Sequence, residues 1–144
     1  MRYTLGVRTS NATDAECAWE LITGATPGRV KLVELGIFLA AATATTIGLG
    51  RPQAIGITPT TPVDFLPEDP NNVLASGVAQ SALAWGTKPT IPVSFLRRIA
   101  LPAVIGTGVI WTFPEGITIP VSSSLILWNL ATNSVLDVYA VVEI

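Results

Sequence analysis

Ten acidic side chains, one cysteine and four tryptophans are the groups in this sequence best able to do chemistry, and histidine is absent. Without histidine there can be no Ser-His-Asp or Cys-His arrangement and no imidazole metal ligand. Cys17 stands alone, so it can form no intrachain disulfide, build no thiolate zinc site and find no imidazole base. A small buried hydrophobe is its expected role. Paired carboxylates could still do acid–base work on a glycosidic bond, yet no spacing singles out two of the ten. Asp14, Glu16 and Glu20 lie near a strand start and read as a solvated face. No catalytic residue is expected, and the chain reads as a non-enzyme.

The densest group of oxygen ligands is Asp64, Glu68, Asp69, Asn71 and Asn72. Such density could hold Ca²⁺, but the spacing is not that of an EF-hand. Asp, Asn and Pro are also the ordinary residues of turns, so neither a metal nor a cofactor is expected. Gly48-Leu49-Gly50-Arg51-Pro52 lacks the GxGxxG spacing of a nucleotide loop, and no helical pattern follows it. Trp19, Trp85, Trp111 and Trp128 could stack on sugars along a groove. Positions in a β core or interface explain them more simply.

The elements that would carry these residues are strands. Tyr3, Leu5 and Val7 alternate with Arg2, Thr4 and Arg8 over Arg2–Arg8, the two-residue period of a half-buried strand. Cys17, Trp19 and Leu21 alternate in the same way within Asp14–Ile22, before a Thr23-Gly24 turn. Further strands are expected at Val30–Leu39, Thr45–Leu49, Val78–Trp85, Val93–Ala100, Gly108–Phe113, Ser122–Leu130 and Val135–Ile144. Pro114-Glu115-Gly116 and Ala131–Ser134 read as turns between them. Between Pro52 and Asn72 five prolines interrupt any periodicity, and a long loop acting as a contact arm is expected. About nine strands without a long helix fit one all-β antiparallel domain over residues 1–144: a sandwich, jelly roll or barrel.

Several late strands are apolar on both faces. Val109, Trp111 and Phe113 oppose Ile110; Ile126, Trp128 and Leu130 oppose Leu125 and Leu127; the last strand sets Tyr139 and Val141 against Val138, Ala140 and Val142. An antiparallel sheet normally turns one face to water. A second apolar face has to be covered, by the domain's own loops or by a neighbouring subunit. Composition favours the neighbour, because only 12% of residues are charged while 49% are hydrophobic, against about 25% charged in a typical domain. Self-association is therefore expected, with Ile110, Trp111, Phe113, Leu125, Leu127, Trp128, Tyr139 and Val141 as candidate interface residues.

Eight scattered Lys and Arg in a chain of net charge −2 exclude a phosphate-binding stripe, so no nucleic-acid partner is expected. The mean hydropathy is +0.55. Even so, the uncharged run Leu35–Gly50 is shorter than the ~18–20 apolar residues of a spanning helix, and no membrane partner is expected. The start of the chain shows no basic segment followed by an apolar run, so synthesis in a host cytoplasm without a secretory leader is expected.

Two stretches carry a resemblance. The run from Trp19 to Pro52, WELITGATPGRVKLVELGIFLAAATATTIGLGRP, is similar to a recurrent pattern in small proteins of tailed phages and prophages. So is Gly108–Ile144, above all WTFPEGITIPVSSSLILWN followed by VLDVYAVVEI. Together they resemble the jelly-roll decoration, or cement, proteins of phage heads. The resemblance implies a jelly roll that forms a homotrimer and clamps neighbouring major capsid subunits at three-fold or quasi-three-fold points on the outer surface of the virion. Arg2, Arg8, Asp64, Phe65, Glu68 and Asp69, at one terminus and in the proline-rich loop, are the candidate capsid contacts. A glycan- or receptor-binding module of a tail or head fibre, and another tail, neck or baseplate subunit, are the alternatives.

Overall fold

A computed structural model describes residues 1–10, 16–25, 29–73, 76–132 and 134–144. Thirteen strands and no helix are found among them. No helix is therefore long and apolar enough to cross a membrane. Asp14, named above with Glu16 and Glu20, lies outside the described residues.

The strands are β1 (Arg2–Arg8), β2 (Cys17–Thr23), β3 (Val30–Leu39), β4 (Thr45–Pro52), β5 (Ile57–Pro59), β6 (Val63–Asp64) and β7 (Leu66–Pro67). They continue as β8 (Ala79–Ala82), β9 (Trp85–Thr87), β10 (Pro92–Leu101), β11 (Gly108–Ile119), β12 (Ser124–Asn129) and β13 (Leu136–Glu143). Alternation places their side chains. In β13, Leu136, Val138, Ala140 and Val142 are buried, while the residues between them are half-exposed.

All pairings are antiparallel and the long ones are nested: β1 with β13, β2 with β12, β3 with β11 and β4 with β10. The chain thus folds back on itself about the segment between β4 and β10. The nested pairs divide into a first sheet of order β11-β3-β13-β1-β7 and a second of order β10-β4-β12-β2-β8-β6. One core lies between the two sheets. Leu32, Leu35, Ile37, Val138 and Ala140 enter from the first; Trp19, Leu21, Leu49, Leu125 and Leu127 enter from the second. Inside it the Trp19 indole N–H donates to Ser81 Oγ at 2.8 Å, so its polar atom is satisfied.

The proline-rich segment does not project as an arm. Val63 and Asp64 pair with β8 in the second sheet, and Leu66 and Pro67 pair with β1 in the first. Phe65, between them, points inward and is 1% exposed within the shared core. Residues 63–67 therefore form a strap that closes one side of the molecule. Nearby, β5 pairs with β9 as a separate two-stranded flap.

Two expected boundaries are corrected. Val78–Trp85 is not one strand, because it splits into β8 and β9, which belong to different sheets. Pro114-Glu115-Gly116 is not a turn but a bulge inside the 12-residue β11, whose register with β3 shifts between Thr112 and Ile117. Gly116 takes φ +72° there, and a Cβ on it would press against Lys31 at 2.9 Å. Only glycine suits that position.

The chain exposes 6935 Å², close to the ~7,100 Å² of a compact 15.1 kDa monomer.

Candidate interaction surface

Of the apolar positions expected to need a partner, the β12 residues are covered by the chain itself. Leu125 and Leu127 lie in the shared core, fully buried. Ile126 and Trp128 point the other way, but Cys17, Trp85, Phe95 and Leu130 pack over them. Phe95 of β10 lies flat across Gly48, which has no Cβ to hold it off. Trp111 and Phe113 turn toward the core from β11. Leu125, Leu127, Trp128 and Phe113 are corrected as interface candidates, because burial within the chain leaves them little surface for a second one, whereas Trp111 stays half-buried.

The flap is tied to the second sheet by a buried carboxylate. Glu20 is fully buried, and so is not the solvated residue expected of it. Its Oε1 accepts from the Trp85 indole N–H at 2.9 Å and its Oε2 from the Gly56 N–H at 3.1 Å. Glu16 pairs with Lys88 at 2.7 Å beside it. Burial, and then the charge of Glu20, push the Cys17 thiol well above its ordinary value. That thiol is a packing group rather than a nucleophile.

Ile110, Tyr139 and Val141 are brought together on the outward face of the first sheet. Register sets Ile110, Gly36, Tyr139 and Gly6 in one row across β11, β3, β13 and β1. Thr112, Glu34, Val141 and Thr4 form the next row. The Tyr139 ring lies directly on Gly36, and its hydroxyl donates to Glu34 Oε2 at 3.0 Å. Partial burial, followed by that carboxylate, raises the phenol above its ordinary value. Ile110 keeps 52% of its surface exposed. At the centre of the face Ile110, Tyr139 and Val141 stand with Thr112, Thr4 and Glu34 beside them.

Ion pairs rim it. Arg8 meets Asp137 through two bonds, at 2.7 and 2.9 Å, and Arg2 approaches Glu143 at 3.9 Å. The paired guanidinium holds the Asp137 carboxyl below its usual range. A cleft of about 400 Å³ opens at the Arg2 end, where Glu34, Glu68 and Glu143 face a single arginine across Phe113 and Val141. Among the described residues no three Asp, Glu, Cys or His side chains converge as a metal site would require.

The other capsid-contact candidates separate. Arg2, Arg8 and Glu68 stay on this accessible surface. Asp69 is exposed, but its Oδ1 accepts from the backbone and side-chain N–H groups of Asn71 at 3.0 and 3.2 Å. Asp64 is turned inward by the Gly77 N–H at 3.0 Å and Gln80 Nε2 at 2.8 Å. Phe65, in the core, is corrected as a contact residue: its ring has no access to a partner.

A second surface went unanticipated. Opposite the strap, β10 and β11 end the two sheets as unpaired edges on the same side. Arg97 spans that side with its guanidinium 5.2 Å from the Phe113 ring centre, and Arg51 Nη2 donates to the Thr118 carbonyl at 3.0 Å. Val93, Leu96, Val104 and Ile105 are exposed along it, Val93 to 85%. Pro92, two register shifts and the adjacent Arg97 and Arg98 keep β10 from templating a further strand. One signal was available in the sequence: Val104-Ile105 is an apolar pair wedged between Pro102 and Gly106, where turns are normally polar.

No family model, curated protein or solved structure matches this chain.

Proposed function

We propose that this protein is a structural subunit of a phage head, a jelly roll that forms a homotrimer and cements neighbouring major capsid subunits. The nested strand order carries the proposal. Setting aside the short strands β5 to β9 leaves eight long ones. In chain order they stand as 6-3-8-1 in the first sheet and 5-4-7-2 in the second. A long hairpin rolled into two facing sheets would give this order, which supports the jelly-roll reading, an architecture that recurs in viral capsid proteins.

Jelly rolls serve several functions, so the surfaces must narrow the choice. Trp19 and Trp128 are buried, and Trp85 and Trp111 pack against the two apolar clusters. A sugar-stacking platform built from tryptophans therefore has little support, which weakens the fibre-module alternative. What the surface does offer is exposed aliphatic residues along the β10–β11 side and, beside them, Ile110, Tyr139 and Val141 on the outward face of the first sheet, features suited to protein contacts. The account is one of linkage: a trimer that binds only the assembled lattice stabilises that lattice.

The test is a phage lacking this protein. Its heads should assemble and package, yet lose DNA at lower temperature than wild-type heads, with resistance restored by adding purified protein. Missing tails, or intact heads that fail to adsorb, would overturn the proposal.

A further inference from the structure

The two surfaces described above are unlike, and a trimer requires unlike surfaces. A ring of three cannot be closed by a self-complementary patch, because each subunit must insert one surface into a different surface of the next. Resting on the trimer reading, we propose that the β10 side of one copy docks on the outward face of the first sheet of the next copy, with Arg98 directed at the Glu34–Glu68–Glu143 cleft.

Charge carries the pairing. The β10 side presents Arg51, Arg97 and Arg98, whereas the cleft sets three glutamates against one arginine. Glu115, the acid on β11, lies in the bulge between Phe113, which Arg97 covers, and Thr118, whose carbonyl accepts from Arg51, so Arg98 is the cation on which the pairing rests. Neither Arg98 nor Glu68 has a side-chain hydrogen bond or ion pair within the described residues, so both are free to find partners in another copy. Apolar surface accompanies the charge on each side: exposed Val93 and Leu96 on one, Ile110 and Val141 on the other.

The two surfaces adjoin at β11, the strand that ends the first sheet on the β10 side and carries the exposed Ile110. Side chains rather than backbone would form the contact, since Pro92 and the irregular register of β10 oppose strand addition. Because each subunit is already compact, docking would proceed without refolding.

The experiment is charge reversal read as native mass over a dilution series, by light scattering at low ionic strength. Wild-type protein should be a trimer. Arg98→Glu and Glu68→Lys should each weaken it at least about tenfold. The double variant, which restores opposite charges, should recover most of the loss. Arg29→Glu, an exposed reversal at a residue outside β10 and outside the cleft lining, should change nothing, and far-UV circular dichroism should show every variant folded. If a reversal unfolds the chain, Arg98→Ala and Glu68→Gln should give the same pattern at smaller size. A monomeric wild type would refute the trimer reading itself. A trimer indifferent to both reversals, or single losses without rescue in the double variant, would refute this pairing and leave the trimer standing.

Discussion

Phe65 decides whether the proline-rich segment is a strap or an arm. In the structure its ring sits at 1% exposure among the core residues of both sheets, and its N–H donates to the Ala79 carbonyl at 3.3 Å. Phe65→Ala would remove the transfer free energy of the ring and leave a cavity that strands on either side cannot easily close. Buried Phe→Ala changes cost about 3–5 kcal/mol. Against a total stability of about 5–15 kcal/mol, that is about a fifth or more of what holds such a domain together. Guanidinium unfolding followed by tryptophan fluorescence would measure it, at one fixed protein concentration so that association contributes equally. Leu66→Ala, one residue on and 52% exposed, is the matched control and should shift stability by about 0.5 kcal/mol or less. A Phe65→Ala cost below about 1 kcal/mol would mean that the ring is outside the core and that side of the molecule is open.

Three further outcomes follow from the polar groups. Glu20→Gln keeps one acceptor but turns an amide toward the second donor, so it should cost about 1–3 kcal/mol and perturb Trp85 emission; unchanged stability would mean the flap is not held by this carboxylate. The Cys17 thiol should resist Ellman's reagent at pH 8 in the native protein and react fully once unfolded, whereas rapid native reaction would contradict its burial. Asp137→Asn should lower stability slightly at neutral pH, the pair being exposed and screened by salt. Because folding depresses the Asp137 carboxyl, its contribution is complete above the ordinary aspartate value and fades as pH falls through the folded one. The gap between variant and wild type should close at acid pH; a gap that persists there would assign the effect to packing.

Where one face of a strand meets the core and the other meets water, periodicity alone locates it. β1 has the bounds that alternation predicts, Arg2–Arg8, and β3 has those expected from its run of Val, Leu, Ile and Phe, Val30–Leu39. β12 shows where that reading stops. Its Ile126 and Trp128 are apolar on the outward face, and periodicity says only that something covers them. Trp85 and Phe95, far along the chain, supply the cover, and no local pattern announces such a contact. Pro114-x-Gly116 misled for a related reason. The same residues that make a turn also make a bulge, and pairing with β3 on both sides decides between them. Phe65 had a fainter signal, as the only aromatic in the segment from Pro52 to Asn72. A lone ring among prolines and polar residues is as good a candidate for an anchor as for a contact. Of the candidate surface, Ile110, Tyr139 and Val141 were legible from two-sided apolarity. The glutamates that share a cleft with Val141 were not, because β3, β13 and the strap converge only in the fold.

The central claim is that this protein sits on the outside of a phage head and holds capsid subunits together. Cryo-electron microscopy of the particle that carries it tests this most directly. The account predicts trimeric density at three-fold or quasi-three-fold positions on the outer capsid surface, each copy bridging neighbouring capsid subunits. Density for this chain in the tail, the neck or a fibre, or isolated monomers bound to single capsid subunits, would contradict it.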